Sequence, residues 1–298
     1  MSRADLRGIA REPRAAIIAT SVFTGWARDG AAAFGNADAA TCTHAVFAAI
    51  VEGVRIIDDI QDREETCLAT DVGIDRALEI AINALEHALE LTAELPVPDA
   101  SWTATAKAIG RGIRETAIGQ QLEATADSYW TRIDRKTAPL VATALELGAL
   151  VAGADPSRAA ALTRLGIPLG RLLQIGDDCN DALDDDSNDW RTPHLNLLMS
   201  YTLAGPRAKD LRAVLGTREA QHLLLRDGAL AYAIHAELAT IDDIAAIVDA
   251  LDLPHPAPFR ELIARERAQC EALLRRTGVT MPRARDDSGN RSASRVSQ

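Results

Sequence analysis

Aromatic side chains are scarce in this chain. Four Phe, three Tyr and four Trp make up 4% of its 298 residues. Strands draw on aromatic and β-branched residues, whereas Ala and Leu dominate here, so the composition favours helix over strand. Cysteine is equally sparse. Cys42, Cys67, Cys179 and Cys270 lie far apart, and none forms a CxxC or zinc-type spacing. They read as reduced thiols of a cytosolic protein. Positive charge is in deficit, with 32 Lys and Arg against 43 Asp and Glu and a formal net charge of -11. That balance argues against nucleic acid as a partner and suits a protein that collects metal ions. Long apolar runs are missing too. The most apolar stretch, residues 140–154, is interrupted by Glu146 and falls short of a membrane span. Residues 1–13 are charged, without the apolar core of a secretory signal. The expectation is a cytoplasmic protein with no transmembrane segment.

What is present is helical periodicity. Hydrophobic residues reach 47%, enough for a sizeable core. Apolar spacing predicts helices over residues 13–26, 38–62, from Asp71 or Gly73 to about 95, 103–127 with Ser101 as N-cap, from Asp134 or Thr137 to 153, and 159–183. Asp29-Gly30 and Gly35-Asn36 read as breaks, and Asp155-Pro156-Ser157 as a turn and cap. Further helical pattern covers 193–204, 207–215, 218–250 and 259–276. No stretch alternates with period two. Residues 1–12 and 282–298 are polar and read as flexible ends. The fold class is therefore all-α, a single-domain helical bundle over residues 13–281.

Two aspartate-rich stretches stand out against this background. Arg55-Ile56-Ile57-Asp58-Asp59-Ile60-Gln61-Asp62 is answered far downstream by Gln174-Ile175-Gly176-Asp177-Asp178-Cys179-Asn180-Asp181. Each sets Asp at i, i+1 and i+4, which stacks Asp58 over Asp62 and Asp177 over Asp181. Acids on a helix are ordinarily a solvated face. Here Ile56, Ile57 and Ile60 surround the first set, and Val51 and Val54 precede it. Burying such acids is costly unless a cation neutralises them. Carboxylate oxygens suit Mg2+, which bridges protein acids to substrate phosphates. The acidic run Asp184, Asp185, Asp186 and Asp189 reads as a solvated loop, one member of which is in reach of a metal through water.

Lys136-Thr137, preceded by Tyr129, Arg132 and Arg135, offers cations suited to a diphosphate. The alternative is a helix start with ordinary surface cations. Gly119-Gln120 and Gln174 add amides able to hold phosphates or metal-bound waters.

Taken together, Asp58-Asp59-Ile60-Gln61-Asp62, Gly119-Gln120, Lys136-Thr137 and the 174–181 stretch resemble the trans-isoprenyl diphosphate synthase (polyprenyl synthetase) family over roughly residues 37–205. The resemblance implies an all-α bundle around a deep central cavity, usually a homodimer. It implies Mg2+ as cofactor, three ions held by Asp58, Asp59, Asp62, Asp177, Asp178 and Asp181. The substrate it implies is an allylic isoprenyl diphosphate, ionised to a carbocation with loss of pyrophosphate. Lys136, Thr137, Gln174 and Gln120 would line the diphosphate site. In the family, residues just before the first motif limit product length. Gly53 and Val54 are small enough for a long prenyl chain, with Phe47 deeper as a possible cap.

Some family features are missing. The Gly-Lys…Arg segment of the isopentenyl-diphosphate site has no counterpart, since residues 13–40 hold only Arg14 and Arg28. The usual Arg-Arg-Gly after the first motif reads Arg63-Glu64-Glu65, leaving Arg63 as the one cation. The usual Lys-x-Thr reads His194-Leu195-Asn196. Arg55 stands where an apolar residue is usual, positioned to pair with Asp58 or Asp59. The allylic half of the site is intact and the second-diphosphate half is eroded. Three readings follow: a prenyltransferase using isopentenyl diphosphate or another acceptor, a terpene cyclase on the same fold, and an inactive regulatory partner of a prenyl synthase.

Overall fold

The computed structural model describes residues 13–62, 67–122, 125, 128–183 and 196–277, with side chains from residue 22 onward and without those of Asp62 and Thr277. Among the described residues every regular element is a helix. In chain order they are α1 (Pro13–Ala32), a 3-10 segment (Ala37–Thr43), α2 (His44–Asp62), α3 (Leu68–Val72), α4 (Ile74–Ala93), α5 (Asp99–Gln120), α6 (Tyr129–Lys136), α7 (Ala138–Val151), α8 (Pro156–Ala161), a 3-10 turn (Leu162–Leu165), α9 (Gly166–Leu183), α10 (Leu197–Ala204), α11 (Ala208–Val214), α12 (Arg218–Arg226), α13 (Ala229–Ala250) and α14 (Ala257–Thr277).

Helix α7 is the axis of the bundle because it is apolar on every side. Leu145, Leu147 and Leu150 are completely buried, and each such side chain contributes roughly 1.5–3 kcal/mol of burial. Helices α1, α5, α6 and α9 pack around it. Its crossing with α1 depends on glycine. A Cβ at Gly148 would strike the Ala27 carbonyl, and one at Gly30 the Leu145 carbonyl. Gly30 therefore does not break α1, which runs on to Ala32. Close packing, not chain reversal, is its reason for being glycine. The acid within α7, Glu146, is buried against Arg111 of α5. Burial pushes its carboxyl up and the guanidinium opposes this.

On one side of α7 lies a core of α1, α2 and α5 residues, including Phe47, Ile50 and Ile109. On the other, α9, α13 and α14 close a larger core around Leu169, Ile175 and Ile241. The 3-10 segment and α2 together span Ala37–Gln61, long and apolar enough to cross a membrane by length and composition, with 44% of the span buried in the bundle. Here it is a core helix packed on α1 and α4.

Several boundaries differ from the periodicity. Helix α5 starts at Asp99, after Pro98, and Ser101 lies buried inside it as part of the first turn, not as its cap. The same helix ends at Gln120, short of 127. Of the two predicted starts for the next helix, Asp134 lies within α6, while Thr137 is the N-cap residue of α7, as expected. The predicted 159–183 helix is three consecutive segments, begun by an Asp155 cap that accepts from Ser157 N at 2.9 Å. The predicted 218–250 helix divides at Gly228, whose φ of 81° belongs to the left-handed region. Residues 1–12, Arg63, Asp184, Asp185, Asp186, Asp189, His194, Leu195 and 282–298 lie outside the described residues.

Candidate active site

Three helix ends converge on Asp58. Helix α2 brings the carboxylate, the C-terminus of α5 brings Gln120, and the C-terminus of α6 brings Lys136. Lys136 Nζ donates to Asp58 Oδ1 at 2.7 Å, and Gln120 Nε2 donates to the same oxygen. Gly119 makes this convergence possible. A Cβ there would overlap the Arg135 carbonyl and the Lys136 nitrogen, so any larger residue would hold the two helix ends apart. The Oε1 atom of Gln120 is buried and has no hydrogen-bond partner among the described residues. A buried acceptor left unpaired costs about 1–3 kcal/mol, and beside a carboxylate it suits a cation or its bound water.

Asp59 turns the other way along α2. Arg55 pairs with it at 2.7 Å, and with Glu52 at 3.5 Å. Of the two acids Arg55 could reach, it takes Asp59. Asp62 ends α2.

The second acidic stretch lies on α9. Asp178 is 1% exposed. It accepts from Tyr129 Oη at 2.6 Å and from the Leu197 backbone N–H at 2.6 Å on one oxygen, and from Gln174 Nε2 at 2.9 Å on the other. Burial raises its carboxyl above the usual range, against the lowering effect of these donors. Burial, with the Asp178 charge beside it, likewise pushes the Tyr129 hydroxyl up. Both Asp178 oxygens thus serve the protein itself, tying α9 to α6 and to the start of α10. Asn196 caps α10, accepting from Met199 N at 2.9 Å. Asp177 instead lines a cavity, and Asp181 lies one turn beyond it on the same face.

A second tie fixes α6 against α9. Arg171 donates two bonds to Asp134, at 2.7 and 2.6 Å, and its guanidinium lies 5.1 Å from the Trp130 ring centroid. Neither Tyr129–Asp178 nor Asp134–Arg171 is legible in the sequence. Both pairs join residues in different helices with no local pattern, and only the packed α6–α9 contact reveals them. They hold Lys136 at its place.

Thr137 is half-buried at the α6–α7 junction, beside Lys136. Gly53 does not face a prenyl channel, because a Cβ there would meet Leu85 and the Ala81 carbonyl of α4. Its smallness serves the α2–α4 contact. Val54 does face the apolar interior, against the core that contains the fully buried Phe47, and Phe47 stacks on Phe23 of α1 with centroids 6.1 Å apart.

Among the described residues no three His, Cys, Asp or Glu side chains converge tightly enough to hold a metal by themselves. Mg2+ takes one or two carboxylates and completes its octahedron with waters and substrate phosphates. Asp58 on α2, Asp177 and Asp181 on α9 and the orphaned Gln120 oxygen are oxygen ligands of the hard type.

Next to Asp177 opens a cavity of about 500 Å³ between α1, α9, α13 and α14. Trp26, Arg28 and Asp29 line it from α1, and Glu237, Arg265 and Glu266 from the far side.

Comparison with known proteins identifies the family. The family model described as polyprenyl synthetase matches residues 23–224. A short chain isoprenyl diphosphate synthase from Methanothermobacter thermautotrophicus is 28% identical over 214 residues, which cover 66% of this chain and 63% of that protein. The chain thus matches less than two thirds of that relative's length. Among solved structures, a polyprenyl synthase from Caulobacter crescentus CB15, complexed with calcium and isoprenyl diphosphate, aligns with a TM-score of 0.70 at 22% identity, covering 89% of this chain and 88% of that one. A geranylgeranyl pyrophosphate synthetase from Pyrococcus horikoshii aligns with a TM-score of 0.70 at 20% identity, covering 88% and 91%. These structures share the fold.

Proposed function

The chain belongs to the polyprenyl synthetase family, and from that premise we propose that it ionises an allylic prenyl diphosphate and transfers the prenyl group to an acceptor. The observation that carries this reading is the meeting of Lys136 and Gln120 on Asp58, 2.7 Å from ammonium to carboxylate. Mg2+, when bound, neutralises the charge that collects on the departing pyrophosphate. Asp58, Asp62, Asp177 and Asp181 would hold it. Asp59 and Asp178, engaged by Arg55 and by Tyr129, act as positioning residues in this reading. Lys136 exchanges its carboxylate partner for a diphosphate oxygen, and Thr137 and Gln174 complete the diphosphate site in this reading. The apolar interior beyond Val54 shields the carbocation from water.

The reading includes a cytoplasmic homodimer. Ile74, Leu78, Ile82 and Leu89 form an exposed apolar stripe along α4, of which Ile74 is 57% and Ile82 55% exposed. A self-complementary contact would cover it.

The test is pyrophosphate release by purified protein with Mg2+ and geranyl, farnesyl or geranylgeranyl diphosphate, each with and without isopentenyl diphosphate. Release that Asp58→Asn abolishes supports the proposal. Equal release by the variant and the wild type overturns it. A hydrocarbon formed from the allylic substrate alone would instead identify a cyclase.

A further inference from the structure

Arg55 is the one Lys or Arg of α2, and it stands among acids. Glu52, Arg55 and Asp59 follow one another at i, i+3 and i+7, which sets them on one stripe of the helix. The guanidinium is engaged from both sides along that stripe. Its Nη1 donates to Asp59 Oδ2 at 2.7 Å and its Nη2 to Glu52 Oε1 at 3.5 Å. The side chains of Arg55 and Asp59 are only 24% and 20% exposed. Asp58, one residue earlier, points about 100° away and meets Lys136 and Gln120 instead. Two neighbouring aspartates thus stand against two different cations.

The two pairs differ in how they open. Lys136 reaches Asp58 from another helix, as a point charge on a flexible stem. Arg55 is tied within α2 itself, so Glu52 and Asp59 stay beside it when neighbouring helices shift. A guanidinium also keeps its charge throughout the working pH range. A divalent ion arriving at the Asp59 oxygen would displace a hydrogen-bonded cation and then stand against its positive charge.

We infer that Arg55 is a fixed internal cation that takes the place of a metal ion at Asp59. The chain then works with fewer divalent ions than the three that its sequence resemblance implies. The inference rests on the proposed metal-assisted ionisation. Arg55 is a positioning residue, acting through Asp59. It holds that carboxylate out of the metal set and offsets part of the negative charge that ions would otherwise neutralise. Asp178 is withheld too, with both oxygens engaged by Tyr129, Gln174 and Leu197. There the donors are neutral groups, whereas at Asp59 the protein supplies a full positive charge.

The experiment counts ions on the full chain. Mn2+, a paramagnetic ion that takes the same hard oxygen ligands, is titrated in the presence of inorganic pyrophosphate. Bound Mn2+ is followed by electron paramagnetic resonance, with the Mn2+ held by free pyrophosphate subtracted. Wild type, Asp59→Asn, Arg55→Leu and Arg55→Lys are compared. The expected result is an equal count, below three, for the wild type, Asp59→Asn and Arg55→Lys, and one ion more per chain for Arg55→Leu. The Mg2+ dependence of pyrophosphate release should steepen in Arg55→Leu and return to the wild-type slope in Arg55→Lys. Lost packing alone would not raise an ion count. A lower count in Asp59→Asn than in the wild type, or no gain in a folded Arg55→Leu, overturns the inference. Wild-type pyrophosphate release would then leave the ionisation reading standing. If Arg55→Leu does not fold, Asp59→Asn decides alone, an unchanged count supporting the inference and a lowered one overturning it. A wild type that neither binds Mn2+ with pyrophosphate nor releases pyrophosphate overturns the ionisation reading, and the inference with it.

Discussion

Lys136 and Asp58, 78 positions apart in the chain, are joined by a 2.7 Å hydrogen bond from ammonium to carboxylate. The lysine ends α6 and the aspartate sits one turn before the end of α2. Neither is deeply buried, with side-chain exposures of 25% and 30%. A half-exposed pair of this kind adds little to stability, of order 1 kcal/mol or less. Its use is to keep a cation and a metal-binding oxygen side by side until a diphosphate arrives.

Lys136→Ala should therefore separate function from folding. Removing one preorganised cation from a developing anion costs about 10²–10³ in rate, whereas the urea midpoint should shift by less than about 1 kcal/mol equivalent. Pyrophosphate release and urea denaturation on the same preparation give both numbers.

Asp178→Ala should behave in the opposite sense. It strands the Tyr129 hydroxyl, the Gln174 amide and the Leu197 N–H, all of which now donate to one buried carboxylate. Stranded buried donors cost about 1–3 kcal/mol each, so the variant should lose at least about 2 kcal/mol in chemical denaturation. Full wild-type stability would contradict the positioning role.

Gly119→Ala tests whether the site depends on close helix packing. The added methyl group would press on the Arg135 carbonyl and move Gln120 and Lys136 off Asp58. Overpacking of this kind costs about 1–3 kcal/mol, and pyrophosphate release should fall more than tenfold, since small misplacements of positioning groups have large kinetic effects. Ala at Gly25, whose Cβ meets nothing within 4 Å, is the matched control for melting temperature.

Asp29 gives the stability curve a signed pH dependence. Its folded value of about 6 lies above its unfolded value of 3.8, chiefly through burial. Between those values the folded state keeps a proton that the unfolded state has lost. The stability present below pH 3.8 is therefore lost as pH rises towards 6. Asp29→Asn removes this loss. The variant should exceed the wild type in melting temperature at pH 7.5 and match it near pH 3.5, as measured by calorimetry in the two buffers.

What could be read from the chain was what depends on local spacing. The i, i+1, i+4 aspartates declared their two helices, and Ala-Leu richness declared an all-α bundle. The acid pattern and the Lys-Thr between the two clusters also pointed to the family. Ser101 was misread because capping preference is local, and Pro98 decides that position; of the two starts offered for α7, Thr137 is its N-cap and Asp134 is taken up by Arg171. Gly53 was misread for a related reason. A small residue beside a motif looks like room for substrate, yet only the neighbouring helix shows that the space is filled by Leu85.

The amino-acid sequence by itself determined the helices and the two acidic clusters, because side-chain periodicity and charge are written residue by residue. Only the tertiary structure decided which acids point where. Asp58 meets Lys136, Asp59 is taken by Arg55, and Asp178 is consumed by Tyr129, Gln174 and Leu197. Adjacent aspartates on one helix lie about 100° apart, so which of them faces the site and which serves the scaffold depends on the helices that pack on each side.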